Sequence, residues 1–238
     1  MGNRAVILAG GRGTRLLPYT ALIPKPLMPL GGRYCILEIV IMQLVKAGFN
    51  HITLAVNHLS QLFTAYFGDG SRYDANIDYS LEQADLSTIG PLTLLSDLPQ
   101  NTLVMNGDIL CDLDYRVFYE THCRSGAKIS VSSFRRTVNI DFGVLEYNDN
   151  HHLQNFSEKP EFKFDVSMGI YCLNKSVIEA LAPSQRYGFD QLMKDSLAMG
   201  RPVNIQPFKG YWLDIGRPED YERANADFEK LASKLGIR

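Results

Sequence analysis

The stretch Leu8-Ala9-Gly10-Gly11-Arg12-Gly13-Thr14-Arg15-Leu16 decides the fold, because it follows an apolar run from Ala5 to Ala9 that has the composition of a buried strand. Its glycines have no Cβ, so their backbone N–H groups can approach an anion closely, and its arginines supply positive charge. The stretch therefore predicts a strand-to-helix turn that holds phosphate groups in an α/β domain. The simplest alternative is a glycine-rich turn with solvated arginines.

Two common phosphate-binding motifs do not fit this stretch. No G-x-x-x-x-G-K-[ST] string follows Gly10 or Gly11, which excludes a P-loop. A dinucleotide fingerprint would need a third glycine where Leu16 stands. The predicted site is therefore of another nucleotide-binding type.

The composition is that of an ordinary globular protein. The chain has 238 residues, of which 45% are hydrophobic and 21% charged, and its net charge of -2 argues against a nucleic-acid-binding surface. Its four cysteines form no C-x-x-C pair and are expected to be reduced thiols. The longest apolar run, Cys35 to Val45, is interrupted by charge, and the first residues carry no signal-peptide pattern. We expect a cytoplasmic protein with neither membrane nor nucleic acid as a partner.

Strand-like and helix-like patterns alternate through the first half of the chain, which predicts a largely parallel sheet covered by helices. The predicted strands are Ala5–Ala9, His51–Val56, Ile77–Leu81, Thr102–Asn106, Lys128–Phe134, Phe142–Tyr147, Ser167–Leu173 and Val203–Pro207. The predicted helices are Ile36–Ala47, Ser60–Phe67, Tyr115–Arg124, Phe189–Met199 and Pro218–Leu235.

From about Lys128 consecutive strands replace the alternation, which predicts a small antiparallel subdomain on the substrate side of one continuous domain. We expect residues 1–238 to form that single domain, with residues 1–127 mainly binding nucleotide and residues 128–238 mainly binding the second substrate. Because one helix follows Asp214, we expect no appended hexapeptide-repeat or regulatory domain.

Two aspartates are candidate magnesium ligands. Asp108 ends the apolar run Leu103-Val104-Met105-Asn106-Gly107-Asp108, and ligands of open α/β sheets bind beyond the carboxyl ends of strands. Asp214 lies in the apolar segment Trp212-Leu213-Asp214-Ile215-Gly216, where a carboxylate needs a partner. That partner could be an arginine or a Mg²⁺ ion shared with Asp108. An ordinary turn aspartate is the alternative, which suits Asp112 and Asp114 better.

Two lysines beside prolines are candidate phosphate ligands. Lys25 lies between Pro24 and Pro26, which restrain its backbone, and Lys159 lies in Glu158-Lys159-Pro160. Each could also be an ordinary solvated lysine. The sequence contains no G-x-S-x-G nucleophile elbow, so covalent catalysis finds little support.

In its combination and order of motifs, the chain resembles the sugar-1-phosphate nucleotidyltransferases, also called nucleotide-sugar pyrophosphorylases. The matching strings, which run through essentially the whole chain, are Leu8–Leu16, Pro24–Leu27, Asn106–Asp108, Phe142–Val144, Glu158–Pro160 and Trp212–Gly216. The resemblance implies a single Rossmann-like α/β domain with a mixed, mostly parallel central sheet flanked by helices. It also implies a reaction in which a sugar-1-phosphate and an NTP give an NDP-sugar and pyrophosphate.

The resemblance also implies a role for each matching position. Catalysis would rest on Arg15, Lys25 and Asp108, and Mg²⁺ would be the cofactor, bound by Asp108 and Asp214. The nucleotide would be held by Leu8, Ala9, Gly10, Gly11, Gly13, Thr14, Arg15, Glu82, Gly90 and Asp108. The sugar-1-phosphate would be held by Gly143, Glu158, Lys159 and Ser167.

The chain departs from the family's pattern at two loops. Leu86-Ser87-Thr88-Ile89-Gly90 has serine where the family often has the first glycine of Leu-Gly-Thr-Ala-Gly. Ser167-Met168-Gly169 has serine where the family often has Asn-Ala-Gly. The first change bears on the loop that closes over the base, and the second on a sugar contact.

Glu82 indicates which base is bound. A carboxylate accepts hydrogen bonds from both donors on the Watson–Crick edge of guanine, whereas the glutamine of thymidylyl and uridylyl relatives suits an alternating acceptor and donor edge. Glu82 therefore favours GTP. The stretch Phe67-Gly68-Asp69-Gly70-Ser71-Arg72, followed by Asn76-Ile77-Asp78-Tyr79, resembles mannose-1-phosphate guanylyltransferases. A one-residue shift would place Gln83 at the position of Glu82 instead, which keeps a uridylyl- or thymidylyltransferase open.

Two further classes remain open at this point. One is a catalytically silent homologue that binds a nucleotide-sugar, which could have lost charged residues of the site. This chain retains Arg15, Lys25, Asp108, Lys159 and Asp214. The other is a glycosyltransferase, for which Asp112-Leu113-Asp114 has the D-x-D form. The sequence also leaves open whether the chain forms a homo-oligomer.

Overall fold

The computed structural model of the protein describes residues 3–11, 13–57 and 59–237. Met1 and Gly2, on which part of the signal-peptide expectation rests, lie outside the described residues, and so does Arg12 of the glycine-rich stretch.

The strands in chain order are β1 (Arg4–Leu8), β2 (Pro29–Leu30), β3 (Tyr34–Cys35), β4 (His51–Val56), β5 (Asn76–Leu81), β6 (Asn101–Asn106), β7 (Ile109–Cys111), β8 (Ile129–Asn139), β9 (Val144–Tyr147), β10 (Leu153–Ser157), β11 (Glu161–Asn174), β12 (Val203–Phe208) and β13 (Trp212–Asp214). Among the described residues, seven of them form a central sheet in the order β12-β8-β11-β6-β1-β4-β5. Only β11 runs antiparallel to its two neighbours in that sheet. The prediction of a mixed, mostly parallel sheet is confirmed.

The helices are α1 (Ile36–Lys46), α2 (Ser60–Phe67), α3 (Tyr115–Ser125), α4 (Lys175–Glu179), α5 (Phe189–Ala198), α6 (Pro218–Ala226) and α7 (Phe228–Lys234). They cover both faces of the sheet because its strands carry buried apolar side chains on both faces. Leu37, Phe63 and Phe118 pack on one face, and Ile178 and Leu192 pack on the other. This two-sided core holds β1, β4 and β6 in place, so their carboxyl ends form a rigid platform.

Helix α1 is apolar nearly all round because it lies between two packed layers. Its N-terminus is fixed by a capping box, in which the sulfur of Cys35 accepts from the N–H of Glu38 and the Glu38 carboxylate accepts from the N–H of Cys35. Its outer face packs against Phe228 and Leu231 of α7 in a third apolar cluster.

The prediction of one helix over residues 218–235 is wrong, because the helix is interrupted at Asp227. That residue ends α6, and its carbonyl accepts the hydrogen bond from the N–H of Leu231 that begins α7. The break turns the ring of Phe228 onto Gly31, where a Cβ would lie only 2.0 Å from it. No glycine or proline marks the break, so packing alone decides it.

In the second half of the chain, β8 and β11 are longer than predicted and form a two-stranded ribbon beyond the central sheet. The register pairs Glu161 with Asn139 at its far end and Val166 with Phe134 nearer the sheet. Strands β9 and β10 form an antiparallel hairpin in the segment of chain that connects β8 to β11. Strand β10 was not predicted from the sequence. The predicted antiparallel subdomain on one side of the sheet is confirmed.

No helix in the described part of the chain combines the length and the apolar character that crossing a membrane requires.

Candidate active site

A cleft of about 790 Å³ opens at the carboxyl ends of the parallel strands β1, β4, β5 and β6. This edge of the sheet is where open α/β folds bind ligands. The cleft is lined by Leu8, Ala9, Gly10, Gly11, Gly13, Thr14, Arg15, Leu16, Lys25, Pro26, Asn57, Glu82, Gln83, Ala84, Asp85, Ser87, Thr88, Asn106, Asp108 and Gly216. The described residues of the glycine-rich stretch therefore share one cleft with Lys25, Glu82 and Asp108.

The glycine-rich stretch has one position that requires glycine on two grounds. Gly13 has φ of 62°, in the left-handed region, and a Cβ there would lie 3.1 Å from Thr20 Cγ2 and 3.2 Å from Lys25 Cβ. The hydroxyl of Thr20 donates a 2.8 Å hydrogen bond to the carbonyl of Gly13. Gly13 therefore packs the glycine-rich stretch against the segment that carries Lys25.

Lys25 joins the two candidate metal ligands. Its Nζ lies 2.5 Å from Oδ2 of Asp108 and 3.9 Å from Oδ1 of Asp214. The two aspartates meet because β13 pairs with β7 and the N–H of Ile215 donates to the carbonyl of Asp108. The Lys25 side chain is only 7% exposed, so its charge requires these carboxylates.

Arg15 lines the cleft, whereas Asp214 does not line it and lies beside Lys25, Asp108 and Arg15. Burial and then the charge of Asp108 raise the pKa of Asp214, whereas Lys25 and Arg15 oppose the shift. The guanidinium of Arg15 lies beside Gly216, 3.5 Å from where a Cβ would stand. Arg15, Lys25 and Asp108 therefore present two cations and one carboxylate to the cleft, and the Asp214 carboxylate adjoins them beside Lys25.

The donor set fits a magnesium ion. Oδ1 of Asp108 is buried and has no hydrogen-bond partner among the described residues, so one acceptor remains available. No group of three or more His, Cys, Asp or Glu side chains that could hold a metal occurs in the described chain. Mg²⁺ is commonly bound by one or two carboxylates together with substrate phosphates, so Asp108 and Asp214 suffice.

Glu82 also lines the cleft and follows directly after the edge strand β5. It is only 7% exposed, although its neighbours Leu81 and Gln83 are exposed. Burial raises the pKa of the Glu82 carboxyl to about 7, and a hydrogen bond from the Leu86 backbone offsets part of that rise. Its carboxyl group therefore changes charge near neutral pH.

The loop after Glu82 accommodates the departure at Ser87. Ser87 has φ of 64°, a conformation that glycine adopts freely, and its N–H donates to Oδ1 of Asp85 at 2.9 Å. The side chain of Asp85 therefore supports the strained backbone. Gly90 does not line the cleft: its N–H donates to the carbonyl of Tyr187, and a Cβ would lie 2.5 Å from the carbonyl of Gln185. Its role in nucleotide binding stays a prediction.

Three of the four sugar-side residues flank the β9–β10 hairpin. Gly143 precedes β9, and Glu158 and Lys159 follow β10. Oε2 of Glu158 lies 3.2 Å from where a Cβ of Gly143 would stand, so these two residues adjoin. Lys159 has φ of 45°, a strained conformation for a lysine, and such strain clusters at functional sites. None of these three residues lines the cleft itself.

The fourth sugar-side residue, Ser167, lies at a bulge in β11. Its Oγ accepts from the N–H of Gly169, which has φ of 74°, and the indole of Trp212 donates to the carbonyl of Met168. A Cβ on Gly169 would lie 2.7 Å from Nδ2 of Asn106. The bulge therefore connects Ser167, a predicted sugar contact, to the end of β6 that precedes Asp108.

The D-x-D string has a structural role on both of its aspartates. Asp114 caps α3 by accepting from the N–H of Val117 at 3.0 Å. Oδ1 of Asp112 accepts from the N–H of Tyr211 at 2.6 Å. Neither lines the cleft, which removes the basis for the glycosyltransferase alternative.

The sequence analysis did not assign Asn57 or Asn106, although both line the cleft. Each stands at or just beyond the carboxyl end of a parallel strand, β4 and β6 respectively. That position was a usable signal, because the same rule had selected Asp108.

Comparison with protein families decides the classification. The model of the family described as nucleotidyl transferase matches residues 4–230, nearly the whole chain. The chain belongs to the nucleotidyl transferase family. The resemblance inferred from the ordered motifs is thereby confirmed.

Within the nucleotidyl transferase family, the chain is similar to mannose-1-phosphate guanyltransferase of Schizosaccharomyces pombe. The two are 31% identical over 227 residues, which is 92% of this chain and 62% of the relative. The catalytic subunit beta of mannose-1-phosphate guanylyltransferase of Drosophila melanogaster is 30% identical over 92% of this chain and 61% of its own length. The chain thus spans about three fifths of the length of these curated relatives.

Two solved structures have the same fold as this chain. HddC from Yersinia pseudotuberculosis has a TM-score of 0.74 and 25% identity, covering 95% of this chain and 99% of that one. A second crystal structure of that protein, complexed with GMP-PN, has a TM-score of 0.72.

Proposed function

We propose that this chain is a sugar-1-phosphate nucleotidyltransferase that uses GTP and mannose-1-phosphate or a related sugar-1-phosphate. In the proposed reaction, an oxygen of the sugar phosphate forms a bond to the α-phosphorus of the NTP. The bond between that phosphorus and the oxygen bridging to the β-phosphate breaks, and pyrophosphate leaves. The observation that carries the proposal is one cleft that combines the glycine-rich stretch, Lys25, Asp108 and Glu82.

The charged end of the cleft suits this reaction. The nucleophile is already an anionic phosphate oxygen, so no strong general base is required, and the main task is to hold two anions together. Lys25 and Arg15 would stabilise the charge on the α-phosphate and on the leaving pyrophosphate. Asp108 and Asp214 would hold Mg²⁺, which when bound neutralises charge on phosphate oxygens.

The preference for GTP rests on Glu82. Above a pH of about 7 its buried carboxyl is ionised and can accept from N1–H and N2–H₂ of guanine. The curated relatives named above are guanylyltransferases, and the Yersinia protein was crystallised with GMP-PN, which supports the same base.

The sugar phosphate would bind on the hairpin side. Glu158 adjoins Gly143 and would accept hydrogen bonds from sugar hydroxyls, while Lys159 would neutralise the phosphate. Lys159 has a positive φ in the short turn between β10 and β11, and strained backbone of this kind clusters at functional sites. The chain would act in the cytoplasm, where NTPs and sugar phosphates occur together.

The test is pyrophosphate release in the presence of Mg²⁺, measured for the five common NTPs with several sugar-1-phosphates. We expect turnover with GTP and mannose-1-phosphate or a related sugar, and none without Mg²⁺. If no pair reacts while an NDP-sugar still binds tightly, the chain is a catalytically silent binding protein instead.

A uridylyl- or thymidylyltransferase is the second candidate, because Gln83 also lines the cleft. Glu82→Gln should lower kcat/KM for GTP relative to UTP and dTTP, whereas Gln83→Glu should leave that ratio nearly unchanged. If Gln83→Glu changes that ratio and Glu82→Gln does not, Gln83 is the residue that selects the base.

A further inference from the structure

Gly10, Asn57 and Glu82 stand at the same level of three adjacent parallel strands. The register pairs Leu8 with Ala55 and Val56 with Leu81. One step further along, the N–H of Ala9 donates to the carbonyl of Ala55, and that of Glu82 donates to the carbonyl of Val56. The strand ends therefore place Gly10, Asn57 and Glu82 side by side across the floor of the cleft.

The Glu82 side chain reaches inward from an edge strand. Strand β5 is the last strand of the sheet, so a side chain beyond its end has open solvent on one side. The Glu82 carboxylate is nevertheless buried, and its Oε1 lies over Gly10, two strands away. It therefore points toward the centre of the cleft, where a bound base can meet it.

The missing Cβ of Gly10 provides the space for this orientation. A Cβ on Gly10 would lie 2.8 Å from Oε1 of Glu82 and 3.3 Å from Cβ of Asn57. The first distance is shorter than a nonbonded carbon and oxygen can adopt without repulsion. The adjacent Gly11 has no atom within 4 Å of an added Cβ. The two neighbouring glycines thus differ in what a methyl group would displace.

We propose that Gly10 is a positioning residue for base selection, because it leaves the space that orients the Glu82 carboxylate toward the base. This assigns to one glycine of a phosphate-binding stretch a second role that acts through another side chain. The inference rests on the proposed function, since it specifies how the guanine preference is maintained.

No charged side chain among the described residues accounts for the orientation of the Glu82 carboxylate. Gly10 and Asn57 are uncharged, and Asp85, from the following loop, repels the carboxylate. No cation among the described residues pairs with Glu82. The described contacts that orient the side chain are therefore the space at Gly10 and the hydrogen bond that the Leu86 backbone donates to the carboxylate.

The first experiment compares kcat/KM for GTP, ITP and UTP in wild type, Gly10→Ala and Gly11→Ala. ITP lacks the exocyclic amino group of guanine, so the ratio of GTP to ITP reports the second hydrogen bond to the carboxylate. We expect Gly10→Ala to reduce the GTP:ITP and GTP:UTP ratios about tenfold, the value of a hydrogen bond to a charged group. Gly11→Ala should change all three substrates in the same proportion.

Rescue distinguishes positioning from general damage. Shortening the acid in Gly10→Ala/Glu82→Asp leaves room for the added methyl group, so this double variant should recover part of the GTP preference. The single variant Glu82→Asp should not gain selectivity. A purely structural role of Gly10 predicts no recovery.

A second readout needs no turnover. Carbon-13 NMR of the glutamate carboxyls, with Glu82→Gln to assign the resonance, follows the Glu82 titration in the protein without nucleotide. Gly10→Ala should turn the carboxylate toward solvent and lower its pKa from about 7 toward the ordinary glutamate range. Gly11→Ala should leave it unchanged.

The outcomes separate the two proposals. Absence of turnover in wild type with every NTP overturns the proposed function, while the titration still tests the orientation of Glu82. Turnover in wild type, with equal losses for all three nucleotides in Gly10→Ala and an unchanged Glu82 titration, overturns the role of Gly10.

Discussion

The cleft and the ribbon that carries the hairpin are built differently, although both stem from one sheet. The cleft stands on β1, β4 and β6, whose central residues, such as Val6 and Ile7, are completely buried. The hairpin pairs Leu145 with Phe156, and these side chains are 58% and 53% exposed. One region is fixed by packing on both faces, and the other mainly by backbone hydrogen bonds.

This difference teaches where precision and adaptability reside in the molecule. Charged groups that must meet within a few ångströms, such as Lys25 and Asp108, are supported by a buried core. The predicted sugar contacts sit on a segment with few buried apolar contacts, which is expected to open locally at lower free energy. Four predictions, from the largest expected effect to the smallest, test this comparison.

The largest effect should follow from Asp108→Asn. It removes the charge that pairs with Lys25 and that would bind Mg²⁺, so kcat should fall by about 10²-fold or more while the fold is retained. Initial rates of pyrophosphate release measure this. Asp112→Asn is the control, because an amide oxygen can still accept from the N–H of Tyr211. Full Mg²⁺-dependent activity in Asp108→Asn would remove this residue from the metal site.

Core truncation should separate the two regions by stability. Ile7→Ala removes a fully buried side chain from β1 and should lower the free energy of unfolding by about 2–4 kcal/mol. Phe156→Ala removes a half-exposed ring from the hairpin and should lower it by less than about 1 kcal/mol. Urea unfolding measures both. Equal losses would mean that the hairpin is as firmly packed as the sheet.

Lys159→Gln should weaken binding of the sugar phosphate alone. Loss of one charged hydrogen bond predicts an increase of about tenfold in KM for the sugar-1-phosphate, with KM for GTP unchanged. Lys163→Gln is the matched control, since that lysine is on the same ribbon but pairs with Glu161. A similar rise in both variants would indicate a general effect of ribbon charge.

Glu82 makes stability depend on pH. Its pKa of about 7 in the folded protein lies above the ordinary value of 4.5, so its ionisation destabilises the folded state. The penalty is absent below pH 4.5, grows between pH 4.5 and 7, and is complete above pH 7. Glu82→Gln should therefore raise the free energy of unfolding by about 1–2 kcal/mol at pH 8 relative to the change at pH 4.5. Urea unfolding at the two pH values measures this, and a pH-independent difference would contradict it.

Much of the fold was predictable because local patterns and packing agree. Helix α2 occupies the predicted residues, and the strand patterns at β1, β4 and β6 lie within one residue of their observed bounds. Long-range pairing was not predictable in the same way. The exposed ribbon end of β8 shows little apolar alternation, so its register with β11 is what reveals it as a strand. Residues 161–166 of β11, by contrast, alternate between polar and apolar side chains, a signal that was usable.

The candidate site, like the fold, was predictable only where it depends on local sequence. The strings around Gly10, Lys25 and Asp108 each predicted a phosphate or metal contact from residue chemistry. That Lys25 lies between Asp108 and Asp214 depends on the pairing of β7 with β13, two strands that the sequence analysis did not predict.

The sequence by itself determined the family, the order of its motifs and the chemistry available at each, because these depend on residue type and local spacing. Only the tertiary structure decided which glycine faces Glu82, that Gly90 packs outside the cleft, and where the last helix breaks. Those features depend on contacts between residues far apart in the chain. Their free energy comes from packing and burial, which no local pattern records.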